Sequence, residues 1–342
     1  MTVRKICLRW SWELTVLVVL AAAGALLTAC DDAIYDDEGD CSVTYRVRFH
    51  YDRNIKFADA FASEVGEVAL HVFDKSGHLV WQGTESGDSL RADGYSMAVP
   101  VPPGDYDMIA WCQGPAGHSS RFIIGQQRSG DRIEDYGATL PTENGVSDAD
   151  LRPLYHGRNA AVTLPDTYGT VYNDIQLTKN TNEILILLQH TNGEPLDPEE
   201  FHFTITDACG SLAHDNTPAA ETVTYRPWRV EATQTTIGTE AGGDAMTSMA
   251  GLVAEFSTSR LIAAHRPVLT IRTHDHDVVR IPLIDYLMMV KSEYRKEMTD
   301  QDYLDRQDDY TMTFFLDPDN NWFTQAGIYI NSWHVVLQNE DL

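Results

Sequence analysis

Side-chain polarity alternates with a period of two near the start of the chain. Over residues 42–51, the apolar and aromatic positions are Val43, Tyr45, Val47, Phe49 and Tyr51. Polar or charged residues fill the positions between them. Successive side chains of a β-strand point to opposite faces, so this pattern predicts a strand with one buried face. Such a strand needs a second apolar layer to cover that face.

Similar short segments recur along the chain, separated by turn residues. A hairpin is predicted where residues 68–73 and 78–82 flank Asp74-Lys75-Ser76-Gly77. The continuous apolar run from Glu183 to Gln189 predicts a buried strand. Further strands are predicted at residues 96–101, 105–112, 160–164, 171–177, 201–206, 254–257, 268–272, 278–282, 310–316 and 329–337.

Two adjacent stretches have helical character. Residues 283–297 carry apolar residues three and four apart, and Thr299 with Asp302 resembles a capping box for a second short helix. The predicted class is therefore all-β, with two tandem β-sandwiches at residues 41–170 and 171–342. The helical segment is a short insertion in the second sandwich, and we expect it to cover that sandwich.

Charge and length restrict the function. The chain has 342 residues, of which 51 are acidic and 25 are basic, so the formal net charge is -26. Nucleic acids and anionic lipid surfaces both require Lys and Arg patches, so we expect no nucleic-acid partner and no electrostatic membrane binding. A hydrophobic content of 43% is enough for a real core.

The first 29 residues have the organisation of a secretory signal peptide. Arg4, Lys5 and Arg9 precede an apolar run from Leu14 to Leu27. That run is too short to span a bilayer, for which about 20 residues are needed. Leu27-Thr28-Ala29-Cys30 resembles the bacterial lipobox, in which the cysteine is lipidated and becomes the first mature residue. The alternative is an ordinary signal peptide with an incidental cysteine.

An acidic segment follows at residues 30–40, where six of the ten residues after Cys30 are carboxylates. A charge run of this kind is usually a solvated tether. It also resembles the export signal of surface-exposed lipoproteins in the Bacteroidetes. The two interpretations are compatible, and we expect an outer-membrane protein that is held by its N-terminal lipid and exposed at the cell surface.

Three cysteines remain after Cys7 is removed with the signal peptide and Cys30 is lipidated. Cys41 opens the first strand and Cys112 closes a later one, so a Cys41–Cys112 disulfide is the favoured pairing in an exported protein. The alternative is three reduced thiols. Cys209 lies in a predicted turn at residues 206–210 and is expected to be unpaired.

Three short motifs resemble catalytic or metal-binding motifs, but the residues around each of them do not fit that function. Ser89 lies in Gly87-Asp88-Ser89-Leu90, an esterase-like motif, but between two strands and not at a strand-to-helix elbow. His274-Asp275-His276-Asp277 sits at a hairpin tip, where a polar turn is the usual reason. Asp317 begins a calcium-like loop that has Trp322 where glycine is needed. We therefore predict no catalytic residue, no metal site and no cofactor.

Several separate segments together resemble the fimbrial anchor lipoproteins of the Bacteroidales, the FimB-like anchoring subunits of type V fimbriae. The likeness covers most of the chain. The segments that carry it are Leu27–Cys30, Tyr45–Asn54, Phe57–Phe61, Val72–Gly77, Pro103–Tyr106, Ala110–Gly114, Leu177–Asn182, Ala254–Leu261 and Asp302–Arg306.

This resemblance implies two transthyretin-like sandwiches and a non-enzymatic role. It implies palmitate-type acyl chains on Cys30, fimbrial pilin subunits as partners, and a fimbrium whose length the anchor limits. Pilins of this type join by strand addition, and the segment 328–337 is the predicted exchanged strand. An internal strand of the second sandwich is an equal interpretation of that segment.

Two alternatives from other classes stay open. A surface glycan-binding lipoprotein of β-sandwich fold would present exposed tryptophans, for which Trp228 and Trp322 lie in looser sequence context than Trp81, Trp111 and Trp333. A lipoprotein hydrolase would use Ser89 as its nucleophile.

Overall fold

A computed structural model describes residues 42–115, 117, 120–125, 131–237, 247–291 and 295–337. The chain divides into two compact units. The described residues of the small unit are 42–44 and 166–170, where the amide of Gly169 donates to the carbonyl of Ser42 at 3.2 Å. The large unit contains residues 45–165 and the chain from 171 onward, and it is mostly β-sheet, so the predicted all-β class is confirmed.

The N-terminal sandwich consists of two sheets. A three-stranded sheet has the order β10-β1-β4, and a five-stranded sheet has the order β11-β9-β5-β2-β3. The strands are β1 Val43–His50, β2 Glu67–Asp74, β3 Leu79–Ser86, β4 Met97–Ala98, β5 Gly104–Gln113, β9 Leu154–Leu164, β10 Gly169–Gln176 and β11 Thr178–Lys179.

The alternation in β1 is confirmed by burial. Tyr45, Val47, Phe49 and Tyr51 are all buried, and the ring of Tyr51 contacts that of Tyr155 on the opposite sheet with centroids 5.0 Å apart. Arg48 on the other face pairs with Asp174 of β10 at 2.7 Å. The period of two therefore placed the core face of this strand correctly.

The C-terminal sandwich also has two sheets. A six-stranded sheet has the order β15-β16-β12-β19-β20-β21, and a second sheet follows the order β18-β17-β13-β14-β8. Their strands are β8 Val146–Ser147, β12 Thr181–His190, β13 His202–Leu212, β14 Pro218–Tyr225, β15 Arg229–Ile237, β16 Thr247–Ser259, β17 Val268–Arg272, β18 Asp277–Pro282, β19 Asp309–Leu316, β20 Ile328–Ile330 and β21 Trp333–Val335.

The apolar run at residues 183–189 is the centre of the six-stranded sheet. It lies in β12, which pairs antiparallel with β16 and parallel with β19. Ile184, Ile186 and Leu188 are essentially inaccessible to solvent. The prediction of a buried strand is confirmed for this face of β12, whereas Leu185 and Leu187 on the other face are half-buried.

The predicted boundary at residues 170 and 171 falls inside a strand. β10 and β11 both complete sheets of the N-terminal sandwich, so that sandwich extends to Lys179. Conversely, β8 and two earlier short strands, β6 Ile123–Ile124 and β7 Ala138–Thr139, connect to the C-terminal sandwich. Strands of two residues leave no periodicity, so β6, β7, β8 and β11 could not be predicted. The strand predicted at residues 171–177 corresponds to β10, but its local pattern does not indicate which sheet it joins.

The segment from 131 to 151 joins the two sandwiches through a shared apolar cluster. The indole nitrogen of Trp111 on β5 donates to the carbonyl of Tyr136 at 2.9 Å. The amide of Leu140 donates to the carbonyl of Gly210 on β13 at 3.1 Å. Tyr136 and Leu140 are both buried, so this loop-rich segment is packed between elements that the sequence assigned to separate domains.

Three short α-helices are present among the described residues, namely α1 Phe61–Glu64, α2 Leu283–Met288 and α3 Asp300–Arg306. The helix predicted at 283–297 is shorter than expected, and its residues 292–294 lie outside the described part. The predicted cap of the following helix is confirmed, because the Thr299 hydroxyl accepts from the amide of Asp302 at 3.1 Å.

We predict that Gly157→Ala destabilises the protein by about 1–3 kcal/mol, because the added methyl overpacks the interior. A Cβ at Gly157 would lie 2.4 Å from Ile175 and 2.8 Å from the carbonyl oxygen of Gln176. Both belong to β10, so the variant also tests the corrected boundary. The measurement is the free energy of unfolding in urea.

Gly210→Ala is the matched control. Its Cβ would meet only the side chain of Glu221 at 3.5 Å, an ordinary contact. Equal stability of the two variants would contradict the placement of β10 against β9.

Candidate anchoring and docking surfaces

A buried ion pair lies where the two sandwiches meet. Arg260, directly after β16, donates through Nε and Nη2 to the two carboxylate oxygens of Asp305 on α3, at 2.7 and 2.8 Å. Asp305 is 3% exposed. Gln301 adds a third donor to the same carboxylate at 2.8 Å. The two parallel bonds satisfy a charge that would otherwise be costly to bury.

Two asparagines extend this contact to the crossover between sandwiches. Asn180 lies between β11 and β12, and its side-chain amide exchanges hydrogen bonds with that of Asn216 at 2.8 and 3.1 Å. The carbonyl of Asn216 accepts from Arg260 at 2.9 Å. The amide of Asn180 donates to Leu154 of β9 at 2.7 Å, so the crossover residue is bound to both sandwiches.

The loop after β1 completes the contact. Arg53 donates to Asp302 of α3 and to Thr178 of β11, both at 3.3 Å. Arg306 donates to the carbonyl of Asp52 at 3.1 Å. We call the set Arg53, Asn180, Asn216, Arg260, Asp302 and Asp305 the junction network.

The sequence motifs anticipated parts of this network but not its connections. Asn180, Arg260 and Asp305 each lie in a different segment that carried the family resemblance. No local pattern in the sequence marks Arg53 or Asn216 as functional residues. Ion-pair partners 45 residues apart, as in Arg260 and Asp305, leave no local pattern from which to deduce the pairing.

The C-terminal segment forms an edge hairpin. β20 pairs with β19, and β21 pairs with β20, through a turn at Asn331 and Ser332, which both have positive φ. This is the geometry of a tight two-residue hairpin turn. β20 is therefore an internal strand and β21 an edge strand of the second sandwich, in line with the second interpretation of residues 328–337. Their use as an exchanged strand stays a prediction.

The tryptophans are distributed differently from the prediction. Trp333, expected in the core, is 62% exposed on β21. Trp322, expected in a loose context, packs against Phe314 with ring centroids 5.5 Å apart. Trp228 is 39% exposed as anticipated. Glycan binding through exposed tryptophans stays an untested alternative.

The residues considered for catalysis do not form a catalytic arrangement. Ser89 is exposed, and its hydroxyl faces only the carbonyl of Ser86, at 3.5 Å. His276 bonds Thr273 within the same turn at 3.1 Å, and Asp317 accepts from amides of its own loop. Within the described residues no group of His, Cys, Asp or Glu side chains is arranged to hold a metal ion.

A polar cleft of about 710 Å³ is lined by side chains that already neutralise one another. Arg158 donates to Asp107 at 3.0 Å, and Lys75 lies 2.6 Å from Asp105. Asp107 also accepts from the amide of Ala161 at 2.7 Å. These ion pairs therefore give the cleft no net positive or negative charge that could attract a charged ligand.

Cys112 and Cys209 are free and fully buried. Burial raises the pKa of the Cys209 thiol to about 12 and that of Cys112 further, so both are poor nucleophiles. Cys41 lies outside the described residues, and the Cys41–Cys112 bridge stays a prediction that the free thiol of Cys112 does not support. The turn predicted at 206–210 is wrong, because Cys209 lies inside β13 at a bulge facing β14.

The signal peptide at 1–29, Cys30 and the acidic tether at 30–40 also lie outside the described residues. None of the helices that the structure describes has the length and apolar character of a transmembrane span. Membrane attachment through Cys30 therefore stays a prediction from the sequence.

The sequence model for Fimbrillin-A associated anchor proteins Mfa1 and Mfa2 matches residues 37–339. The chain belongs to this family of fimbrial anchor proteins. The predicted family resemblance is thus confirmed, and the family is a structural one rather than one known for enzymes. The minor fimbrium anchoring subunit Mfa2 of Porphyromonas gingivalis is 22% identical over 283 residues, which cover 80% of this chain and 79% of that protein.

Solved structures show the same fold. A protein from Bacteroides thetaiotaomicron described as a candidate adhesin is 32% identical, with a TM-score of 0.74 over 88% of this chain and 100% of that one. Another from that species, described as a candidate polysaccharide-binding protein, is 27% identical, with a TM-score of 0.73 over 88% and 100%. The Porphyromonas gingivalis anchor Mfa2 has a TM-score of 0.62 at 17% identity over 87% and 100%.

We predict that Asp305→Ala lowers the free energy of unfolding by about 3–5 kcal/mol, because the largely buried Arg260 loses its carboxylate. The measurement is chemical denaturation followed by tryptophan fluorescence. Asp285→Ala is the control, since its partner Arg266 is 76% exposed and such pairs contribute at most about 1 kcal/mol. Similar losses in both variants would contradict a stabilising role for the junction network.

Proposed function

We propose that this protein is an outer-membrane lipoprotein that holds the base of a fimbrium at the cell surface and limits the length of the fibre. The observation that carries the proposal is the family match over residues 37–339, which begins seven residues after the lipobox-like Cys30. A folded anchor body thus follows directly on a candidate lipid attachment point.

The lipid supplies the membrane attachment. Each buried methylene group contributes about 0.8 kcal/mol, and two or more acyl chains hold a protein stably without a spanning helix. The acidic residues between Cys30 and Cys41 favour separation from an anionic lipid surface, because like charges repel. The attachment is therefore covalent lipid, compatible with the net charge of -26.

An anchor must also withstand pulling by the fibre. The tether leads into β1, which lies in the middle of its sheet between β10 and β4. Extracting β1 would break hydrogen bonds on both sides. The junction network then carries the load from the N-terminal sandwich to the C-terminal sandwich through buried, charge-assisted contacts.

The pilin is joined by strand addition in this proposal. An extended pilin strand that completes an anchor sheet gains main-chain hydrogen bonds and alternating side-chain contacts. Since the other end of the anchor is fixed by lipid, addition of the anchor terminates the growth of the fibre. This explains in physical terms how one protein can both hold the fibre and limit its length.

Cys30→Ala is expected to abolish acylation, because the thiol is the atom that receives the lipid. The measurement is labelling with an alkyne fatty acid, together with membrane fractionation. Cys41→Ala is the matched control and should retain both label and membrane association. A Cys30→Ala protein that still fractionates with membranes and carries the label would contradict lipidation at this residue.

Deletion of the gene is expected to release fimbriae into the medium and to lengthen them, because the fibre loses its attached base. Electron microscopy and immunoblotting of cell and medium fractions measure both effects. Re-expression of the wild type should restore attached fibres of normal length, and Cys30→Ala should not restore attachment. Attached fibres of normal length in the deletion strain would refute the anchor proposal.

A further inference from the structure

β15 is the longest edge strand among the described residues. It forms nine consecutive antiparallel pairs with β16, from Arg229 opposite Glu255 to Ile237 opposite Thr247, without a bulge. In an antiparallel pair every second residue directs both backbone groups away from its partner. No described strand pairs with the outer edge of β15, toward which these backbone groups point.

The other described edges carry protective features. β4, β8 and β11 have two residues each, and β21 has three. β18 contains Pro282, two charged residues and a register shift against β17. On β3 the amide of Leu79 is bonded to Asp131 at 2.6 Å, and on β10 the carbonyl of Asp174 accepts from Asn159 at 3.2 Å. Short strands, charges, proline and bulges are the usual defences against strand addition.

β15 lacks those defences over most of its length. Residues 232–237 read Ala-Thr-Gln-Thr-Thr-Ile, with no charge and no proline. At its start, Arg229 is bonded to Glu231 and Glu255, so its charge is neutralised within the sheet.

The core-side face of β15 is also open. Val230 and Ala232 pair with Ala254 and Leu252 of β16, which are completely buried. Paired residues share a face, so Val230 and Ala232 point toward the sandwich interior. Both are nevertheless exposed, Val230 by 38%. The opposite sheet therefore does not cover this edge.

Among the residues that the structure describes, β15 and β16 continue as a two-stranded ribbon beyond the last pair with β12, at Leu252. A two-stranded ribbon is marginally stable in water, and a third strand stabilises it. The geometry thus favours the addition of one more strand along β15.

We propose that the β15 edge, residues 229–237, receives an extended strand of a pilin subunit, with Val230 and Ala232 packing against its alternate side chains. The inference rests on the proposed function, because it names the surface through which the anchor holds the fibre. A second copy of this chain is the less suitable occupant, since two bodies of net charge -26 repel each other.

The test uses the mature lipoprotein in detergent micelles and purified pilin subunits from the same cell. Binding is measured by biolayer interferometry for the wild type and for a Val230→Lys, Ala232→Lys variant. Inward-pointing lysines block strand addition, so we expect at least about tenfold weaker binding. Gln82→Lys, on the exposed edge strand β3, is the matched control and should bind like the wild type.

Hydrogen exchange of the wild-type complex gives a second result that does not depend on the variants folding. We expect slower exchange in residues 229–237 on pilin binding and no change in residues 79–86. Pilin binding without protection of 229–237, or self-association of the wild type through that segment, overturns the β15 inference and leaves the anchor proposal standing. No pilin binding by the wild type overturns both.

Discussion

The buried ion pair between Arg260 and Asp305 is the constraint on which the arrangement of the two sandwiches depends. A carboxylate that is 3% exposed is costly unless its oxygens are fully hydrogen-bonded. Here two guanidinium nitrogens and the amide of Gln301 satisfy it. Because α3 carries Asp305 and also contacts the loop after β1 through Asp302, the position of this short helix fixes both sandwiches at once.

The crossover at Asn180 shows why the polar contacts are placed at that point. The chain leaves the N-terminal sandwich at β11 and enters the centre of the other sandwich at β12 with only Asn180 between them. A residue that is completely buried at such a position needs partners for both its backbone and its side chain. Leu154 accepts from its backbone amide and Asn216 bonds its side chain, so the short link between the sandwiches is held through both its backbone and its side chain.

The parts of the fold that follow from local patterns were predictable from the sequence. The face of β1, the strand at residues 183–189 and the Thr299 cap depend on periodicity, on a continuous apolar run or on neighbours three residues away, and all three are confirmed. The exchange of β7, β8, β10 and β11 between halves was not predictable, because pairing partners lie far apart in sequence. Cys209 illustrates the same limit, since Asp207 and Gly210 suggested a turn where a bulged strand continues.

The candidate docking surface was also not predictable from the sequence. The neutral segment 232–237 has the composition of an ordinary strand, and only the sheet order shows that no described strand pairs with its outer edge. An open edge is normally an aggregation hazard, which most proteins suppress with local charges. This chain combines an uncharged edge with a net charge of -26 over the whole molecule. Long-range repulsion between identical copies then protects the edge without placing charge on it, so that a partner without the same excess of negative charge can still approach.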